Sequence, residues 1–358
     1  VLPDRFVSAV DSGNYLCALV TLKEGLYEYV PCEPRLQEII DQIETILKTT
    51  DLSVFYNPNR ELFSIGLDQN GNRVGSHYDF LMSEARTMSY YAIASRQVPH
   101  RHWRALNRSM SREGAYAGPI SWTGTLFEYL MPHLLLPVCQ GSLLGEAVHY
   151  ALWCQKMRAK CAGLPWGISE SGYFAFDSQL NYQYKAHGVQ ALAAKQGMDR
   201  ECVVSPYSSF LALPFDPHSG MENLRRLEQL GLVGQYGFYE AADFTEERCG
   251  GEYRIVRSFM AHHVGMSLAA AVNALFQNRM QKRFLRDHAM GSAQEFLQEK
   301  VAKDVVVYGR MRKQEPTPRE GLKREPLSLQ PVGNPDQPVC GMLTGSGLSH
   351  FFADTGTN

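Results

Sequence analysis

The stretch YDFLMSEARTMSYYAIASRQ, residues 78–97, has the 3.6-residue period of a helix and is apolar on more than one face. The stretch PRLQEIIDQIETILKTT, residues 34–50, differs, because its apolar residues follow one stripe and charged residues fill the rest. A helix that is apolar nearly all round is typical of an interior, whereas an amphipathic helix covers the outside. Since the two kinds alternate along the first 300 residues, the sequence predicts an all-α fold with inner and outer helices.

Breaking residues mark where several of these helices end. Residues 121–137, SWTGTLFEYLMPHLLLP, are apolar, and Pro132 predicts a kink or an end. The amphipathic helix over residues 142–162 is expected to stop at Gly163. We count roughly ten long helices, which is close to the twelve of a toroid of six helical pairs, written (α/α)6.

The first helix and the first turn also have recognisable signals. Asp11 or Ser12 is expected to cap the helix that follows VDSGN, because both residue types accept a hydrogen bond from the first turn. Asn70-Gly71 lies between short β-prone runs and predicts a hairpin turn.

The composition changes after residue 302. Residues 311–338 are rich in proline and charge, which is typical of a linker, and residues 339–358 read as short strands and turns. We therefore predict a helical catalytic domain over residues 1–302, and a linker with the beginning of a β domain over 303–358. The opening VLPDRFVSAVDSGN reads as the continuation of a longer chain.

Charge and cysteine usage exclude several classes of function. The 35 basic and 37 acidic residues give a net charge of −2, which does not suggest a nucleic-acid partner. No run of about 18 apolar residues occurs, so we expect this segment itself to make no membrane contact. The eight cysteines form no CxxC pair and are interpreted as reduced core thiols of a cytosolic protein, so neither a metal nor a cofactor is expected.

One carboxylate stands in an unusual setting in PWGISESGY, residues 165–173. Glu170 lies between two serines, with Trp166 and Tyr173 on either side. Aromatic neighbours exclude water from a carboxyl and raise its pKa, which would suit a general acid in a sugar-binding cleft. A solvated loop residue and a helix cap through Ser169 or Ser171 remain open. The serine hydrolase motif GxSxG is only half matched here.

A second carboxylate, Glu84, is placed by the helical period on one face with Phe80, Met88 and Tyr91. A carboxylate on such a stripe is costly unless it is paired or takes part in chemistry. An ion pair with Arg86 and a catalytic role are both open. Asp79 is a candidate helix cap.

Two further segments offer sugar-binding groups. His262 and His263 stand together near a helix start, without the spacing of a zinc site. The loop QYGFYEAADFT, residues 235–245, combines aromatic rings with Glu240 and Asp243, which suits stacking and hydrogen bonding to a sugar. A packed loop and satisfied core histidines explain the same residues.

Seven segments, in one order, match a known family. They are VDSGN, YDFLMSEAR, SWTGTLFEYLMP, PWGISESGY, NYQYKAHG, YGFYEAADFT and FMAHHVGMS. Residues 5–300 thereby resemble the glycoamylase-like (α/α)6 domain, in the form found at the centre of cyclic β-1,2-glucan synthases. The tail after residue 325 resembles the start of the phosphorylase-like domain that follows there. The aromatic-acidic segment that usually precedes VDSGN is absent, so the toroid is expected to lack its first helix.

The resemblance implies a retaining transglycosylase that closes linear β-1,2-glucan into a ring, with Glu170 as acid/base and Glu84 as nucleophile. An inverting endo-β-1,2-glucanase of the same fold and a glucan-binding module without catalysis are the alternatives. Partners implied are β-1,2-glucan and the glycosyltransferase and phosphorylase-like domains of the same polypeptide, at the inner face of a bacterial membrane. The expected substrate-binding residues are Asp11, Asn14, Asp79, Trp122, Glu128, Trp166, Tyr173, Tyr184, His187, Tyr207, Tyr239, Glu240, Asp243, His262 and His263.

Two geometric expectations follow from these roles. A retaining pair of carboxyls is expected about 5–5.5 Å apart, and an inverting pair about 6.5–9.5 Å apart. The cavity that holds Glu170 is expected to receive the side chains of Trp122, Trp166, Tyr173, Tyr184, Tyr207, Tyr239, Glu240, His262 and His263.

Overall fold

The structure is a computed structural model, which describes residues 6–301, 307–309, 340–345 and 348–353, the last three ranges as backbone. Helices dominate it, and the sheets are small. Within the described residues the α-helices are α1 (Ala9–Leu26), α2 (Leu36–Thr49), α3 (Arg86–Ala94), α4 (Arg101–Ala105), α5 (Leu126–Leu130), α6 (Leu143–Ala162), α7 (Pro206–Ala212), α8 (Pro217–Gln229), α9 (Glu246–Cys249), α10 (Ala261–Leu275), α11 (Arg279–Arg286) and α12 (His288–Ser292).

Short strands connect the helices. They are β1 (Val7–Ser8), β2 (Tyr56–Asn57), β3 (Leu62–Ser64), β4 (Gly66–Leu67), β5 (His77–Tyr78), β6 (Met110–Glu113), β7 (Tyr116–Pro119), β8 (Ser171–Phe176), β9 (Tyr182–Lys185), β10 (Val203–Val204), β11 (Val233–Gly234), β12 (Gly237–Phe238), β13 (Ala241–Asp243), β14 (Arg254–Val256), β15 (Val307–Gly309), β16 (Cys340–Gly345) and β17 (Leu348–Ala353). Most neighbours pair antiparallel, as β8 does with β9 and β13 does with β10 and β14.

Several helices that follow one another in the chain pack together in pairs. The pairs α1–α2, α3–α4, α5–α6, α7–α8 and α10–α11 each pack together, and the first members also meet as α1–α3, α5–α7 and α7–α10. All of α3 except its last residue is buried, whereas α2 buries only Ile40 and Ile43. The predicted inner and outer layers follow from this difference in amphipathicity. Five such pairs lie within the described residues, and closure into six remains a prediction.

Several predicted ends of helices are confirmed. α6 ends at Gly163, whose φ of 69° is a left-handed conformation that glycine adopts without strain. α5 ends at Leu130, and the chain continues through Pro132 in a 3₁₀ turn. Gly71 takes a φ of 78° in the expected turn between β4 and β5.

Two predictions about helix starts are wrong. α1 begins at Ala9 with Ser8 as its cap, since the Ser8 side chain accepts from the backbone N–H of Asp11; Asp11 and Ser12 therefore lie inside the first turn. The helix predicted over residues 78–97 forms only from Arg86 to Ala94. Residues 80 and 82 instead make isolated bridges to Asn107 and Ser121, which use their backbone groups in an extended conformation.

The cysteines are less buried than expected. The seven with described side chains form no disulfide, but Cys32 and Cys161 are exposed, so they are not core thiols. The predicted boundary near residue 302 is untested, and most of the predicted linker lies outside the described residues. β15 pairs in parallel with β6, and β16 pairs with β17.

Candidate active site

A cavity of about 930 Å³ opens among α1, α5, α10, α11 and the turn before α3. Most of its wall is apolar, and the hydrogen-bonding groups stand out against that background. The polar and ionisable residues of its lining are Asp11, Asn14, Thr21, Tyr29, Tyr78, Glu84, Thr87, Glu170, His262 and Arg283. The structure thus brings Glu84 and Glu170, which are 86 positions apart in sequence, into one cavity.

Glu84 lies in the turn just before α3, so the predicted helical face shared with Phe80, Met88 and Tyr91 does not exist. Met88 and Tyr91 are buried in the apolar core instead. The Ser83 hydroxyl donates to Oε2 of Glu84 at 3.2 Å. Burial, reinforced by the negative charges of Glu128 and Glu170, holds the pKa of Glu84 well above its usual range.

The expected ion pair between Glu84 and Arg86 is absent. The Arg86 guanidinium is buried and donates to the carbonyl oxygens of Leu81 and Tyr129, at 3.2 and 3.0 Å, with His133 Nε2 at 3.2 Å. In residues 6–301, no basic side chain forms an ion pair with Glu84 or Glu170. Neither carboxylate is therefore neutralised by a fixed positive charge.

The turn that presents Glu170 is held by buried amides. Oε1 of Gln155 accepts from the N–H groups of Gly167 and Ile168 at 3.3 and 2.9 Å. Asn223 bonds both the N–H and the carbonyl of Trp166. Gly167 has a φ of 119°, which a side chain at this position would disfavour.

The segment after this turn is extended, so Glu170 caps no helix. β8 begins at Ser171, and the Ser169 hydroxyl accepts from the N–H of Phe127 at 2.9 Å. The Tyr207 hydroxyl donates to the backbone carbonyl of Glu170 at 2.9 Å. Burial raises the pKa of the Glu170 carboxyl, and a hydrogen bond from Tyr184 partly opposes that rise.

A smaller cavity of about 240 Å³ adjoins the wall formed by α7 and α10. Tyr207, Tyr239, Glu240 and His263 line it, but none of them lines the larger cavity. Tyr184 lies at the junction, because its hydroxyl bonds Glu170 and lies 3.4 Å from Nε2 of both His262 and His263.

Glu128 is a structural carboxylate. It completes a capping box with Thr125 at the start of α5. Its carboxylate accepts hydrogen bonds from the hydroxyls of Ser121, Thr123 and Thr125 and from the N–H groups of the two threonines. Four of these bonds go to Oε2, and the group lies outside the lining of the larger cavity.

Asp243, His187 and Tyr173 belong to an ion-pair network around β8 and β9. Asp243 is fully buried against Arg248, with Nε to Oδ2 at 2.8 Å, and His187 Nδ1 lies 3.1 Å from Oε2 of Glu201. The Tyr173 ring lies against the charges of Lys185 and Arg248. The structure places this group away from the cavity lining.

Three further members of the expected set also lie outside the lining. The Trp166 ring is buried in the apolar core. Trp122 is 56 % exposed and contacts Phe80, and Asp79 is exposed. Asp11, Asn14 and His262 are the expected substrate-binding residues that do line the cavity.

Sequence reasoning overlooked Tyr78 and Arg283, which line the same cavity. Tyr78 has a signal in its position, because it precedes the SEAR segment on β5. Arg283 has none, since α11 reads as an ordinary basic surface helix.

No cluster of side chains in the described part of the chain could hold a metal ion. The helices described there include none that is both long and apolar enough to cross a membrane.

Comparisons with known proteins agree with this geometry. Residues 76–288 match the Glycoamylase family model, described as "Putative glucoamylase". The chain is 37 % identical over 300 residues to the cyclic β-(1,2)-glucan synthase NdvB of Rhizobium meliloti (strain 1021). The aligned region covers 82 % of this chain but only 11 % of that protein.

Two solved structures share the fold. The endo-β-1,2-glucanase of Talaromyces funiculosus, in complex with sophorose, aligns with a TM-score of 0.65 and 14 % identity, over 82 % of this chain and 62 % of that one. The endo-β-1,2-glucanase of Chitinophaga pinensis, in complex with sophorotriose and glucose, aligns with a TM-score of 0.60 and 15 % identity. The alignment covers 81 % of this chain and 71 % of that one.

Proposed function

The chain belongs to the glycoamylase family, and from this premise we propose that it is a retaining transglycosylase that forms cyclic β-1,2-glucan. The observation that carries the proposal is the pair Glu84 and Glu170 in one apolar cavity, without a neutralising cation. A glycosidase needs two such carboxyls, one to deliver a proton and one to act on the anomeric carbon. The likeness to a cyclic β-1,2-glucan synthase and to endo-β-1,2-glucanases supports β-1,2-glucan as the substrate. In the proposal, the helical pairs complete an (α/α)6 toroid.

The proposed reaction has two steps, which conserve all atoms. The Glu84 carboxylate attacks the anomeric carbon of an internal glucose, and the glycosidic C–O bond breaks as Glu170 gives its proton to the leaving oxygen. The 2-hydroxyl at the non-reducing end of the same chain then attacks the glycosyl ester. Its proton returns to Glu170, Glu84 leaves as carboxylate, and the ring closes without consuming water.

The raised pKa of Glu170 suits the role of acid, because the carboxyl keeps its proton to a higher pH than an ordinary glutamate does. The raised pKa of Glu84 opposes the ionisation that a nucleophile needs. Glu84 must ionise, and the positive charge that develops on the sugar ring in the transition state favours its carboxylate form.

The test is incubation with linear β-1,2-glucan, followed by mass analysis of the products. Cyclic products are one water lighter than linear chains of the same length. Short linear oligosaccharides alone would indicate the endo-β-1,2-glucanase, which the two solved glucanases favour as the second candidate. Unchanged substrate would leave only a glucan-binding module.

Small nucleophiles separate the two roles. With an activated glucosyl donor, azide should rescue Glu84→Ala by attacking from the vacated face, which gives the inverted azide. With Glu170→Ala it should intercept the ester and give the retained azide. Inverted product in both cases would contradict the assignment.

The chain spans about a tenth of the length of the curated relative. We infer that it works as one domain of a longer polypeptide, with glycosyltransferase and phosphorylase-like domains as neighbours. In that polypeptide it would lie at the inner face of the bacterial membrane.

A further inference from the structure

A buried carboxylate–histidine pair stands behind the cavity wall. Nδ1 of His263 lies 2.9 and 3.0 Å from the two carboxylate oxygens of Glu240. His263 is 3 % and Glu240 5 % exposed, and neither lines the larger cavity. They therefore do not contact a sugar bound there, although the sequence suggested that they would.

Two contacts fix the pair. The N–H of Gly172, two residues after Glu170, donates to Oε1 of Glu240 at 3.1 Å. The ring of Tyr207 stacks on His263 with centroids 3.8 Å apart and planes at 13°. Since the Tyr207 hydroxyl holds the carbonyl of Glu170, the same stack also fixes the backbone at the acid.

The pair reaches the Glu170 carboxyl through Tyr184. His263 donates Nδ1–H to Glu240, and its Nε2 lies 3.4 Å from the Tyr184 hydroxyl oxygen. Because that hydroxyl has one proton, it can donate to Glu170 only while Nε2 donates to its oxygen, as in a ring protonated on both nitrogens. The Tyr184 hydroxyl lowers the pKa of the Glu170 carboxyl. The imidazole orientation therefore sets where the Tyr184 oxygen lies, as the outer partners of ligating groups do in other sites.

We propose that Glu240 and His263 are positioning residues, which hold the Tyr184 hydroxyl against Glu170 so that it stabilises the carboxylate left after proton transfer. The inference rests on the proposed role of Glu170 as acid/base. Glu240 acts through His263, Tyr184, the stacked Tyr207 and the N–H of Gly172, and it makes no contact with substrate.

Several other titratable groups face Glu170, and a pH profile must be read against all of them. They are Asp11 of α1, Tyr78 of β5, Glu84, Glu128 of α5, Tyr184 of β9, Tyr207 of α7, and His262 and His263 of α10. A substitution at Glu240 removes none of these groups, but it takes away a charge that acts on Tyr184, Tyr207 and His262. The sign of the shift therefore has to separate a change of position from a change of charge.

The test measures kcat/KM for β-1,2-glucan against pH in Tyr184→Phe, Glu240→Gln and the double variant. A hydrogen bond to the ionised form lowers a carboxyl pKa, so its loss raises the pKa of Glu170. The alkaline limb should move to higher pH by about one pH unit in each single variant. The kcat should fall by about tenfold with little change in KM. Glu240→Asp should restore part of the kcat.

The double variant distinguishes a positioning role of Glu240 from a direct effect of its negative charge on Glu170. If Glu240 acts through Tyr184, Glu240→Gln adds no shift in the Tyr184→Phe background. A charge effect alone would have the opposite sign, because removing a negative charge near Glu170 lowers its pKa. A shift to lower pH in Glu240→Gln, or additive shifts in the double variant, would overturn the proposal.

Glu299→Gln is the control. It breaks another partly buried carboxylate pair, Glu299 with Arg108, which within the described residues contacts neither Glu170 nor Tyr184. It should leave the alkaline limb in place, and an equal shift there would reduce Glu240 to a general structural role. If Glu170→Gln itself kept normal activity, the proposed function would fail, whereas failure of the Glu240 test alone leaves that function intact.

Discussion

Glu128 and Glu84 are carboxylates in opposite environments. The turn before α5 surrounds Glu128 with hydrogen-bond donors, whereas the cavity wall offers Glu84 few of them. Glu128 accepts from five donors within residues 121–125. Glu84 has one side-chain donor, Ser83, in a largely apolar cavity. Both acids are glutamates with a hydroxyl residue close by in sequence, Thr125 for Glu128 and Ser83 for Glu84, so residue type alone does not separate them.

The difference shows how this protein separates stability from chemistry. Donors that saturate a carboxylate lower its free energy and leave it no lone pair for a substrate. A carboxylate with few donors keeps a high pKa and remains available, at a cost to the folded state. Four predictions would break or sharpen that contrast.

The largest effect is expected on catalysis at the cavity. Glu170→Gln removes the transferable proton and should lower turnover of β-1,2-glucan by about 10²–10⁴-fold, and Glu84→Gln should be at least as damaging. Product formation is measured by mass analysis, and folding is checked by thermal unfolding. Near-normal turnover in Glu84→Gln would end its assignment as nucleophile and favour the inverting glucanase.

At Glu128 the expected loss is in stability. Glu128→Ala leaves buried donors unpaired at the start of α5, and the free energy of unfolding should fall by at least about 2 kcal/mol. Urea denaturation measures it. Glu146→Ala is the control, because this exposed acid in the first turn of α6 should cost less than about 0.5 kcal/mol. Equal losses at the two positions would contradict the contrast.

The dependence of unfolding on pH should show how much the ionised Glu84 carboxylate destabilises the folded state. The pKa of Glu84 is raised in the folded state, so wild-type protein loses stability as pH rises from the unfolded value of about 4.3. Glu84→Gln should therefore unfold at a higher temperature than wild type at pH 8 and at the same temperature at pH 4.

Glu28 should behave in the reverse manner. Its salt bridges to Arg283 and Arg286 lower its pKa to about 2, so its contribution is present above pH 4.3 and is lost as pH falls toward 2. Glu28→Gln should be less stable than wild type at pH 7, and the difference should vanish in acid. The same sign in both variants would refute the reading of Glu84.

The smallest effect concerns the single donor. Ser83→Ala removes the hydrogen bond that favours ionised Glu84, so the acidic limb of kcat/KM should move to higher pH, by up to about one pH unit. Ser121→Ala removes one of five donors to Glu128 and should leave that limb unchanged. A shift in both variants would show that Glu128 also takes part in the chemistry.

Much of the helical framework could be read from the sequence, where local signals decide the structure. Gly163 and Pro132 end helices because their backbone restrictions act within one turn. The turn before α3 could not be read in this way, because bridges to residues 107 and 121 compete with the helix. Those partners are distant in sequence and leave no periodic signal.

The same limit applies to the candidate site. The sequence settings of Glu84 and Glu170 indicate functional carboxylates, and the family resemblance assigns them the roles of nucleophile and acid/base. The same resemblance assigns Glu128 to sugar binding. The capping box Thr125 to Glu128 was readable as T-x-x-E and would have indicated a structural acid. The relation of Glu240 and His263 to Tyr184 has no such signal, since it depends on the packing of α10 against α7.

The ion pairs that Glu28, in the turn after α1, makes with α11 have a consequence for how the chain is made. Glu28 and Arg283 are 255 positions apart, and α1 and α11 both line the cavity. At about 5–20 residues per second, a ribosome needs roughly 10–50 s to add that length. During this interval the apolar face of α1 has no α11 to pack against. The cavity can close only after α11 has been added, so it is among the last features of the domain to form.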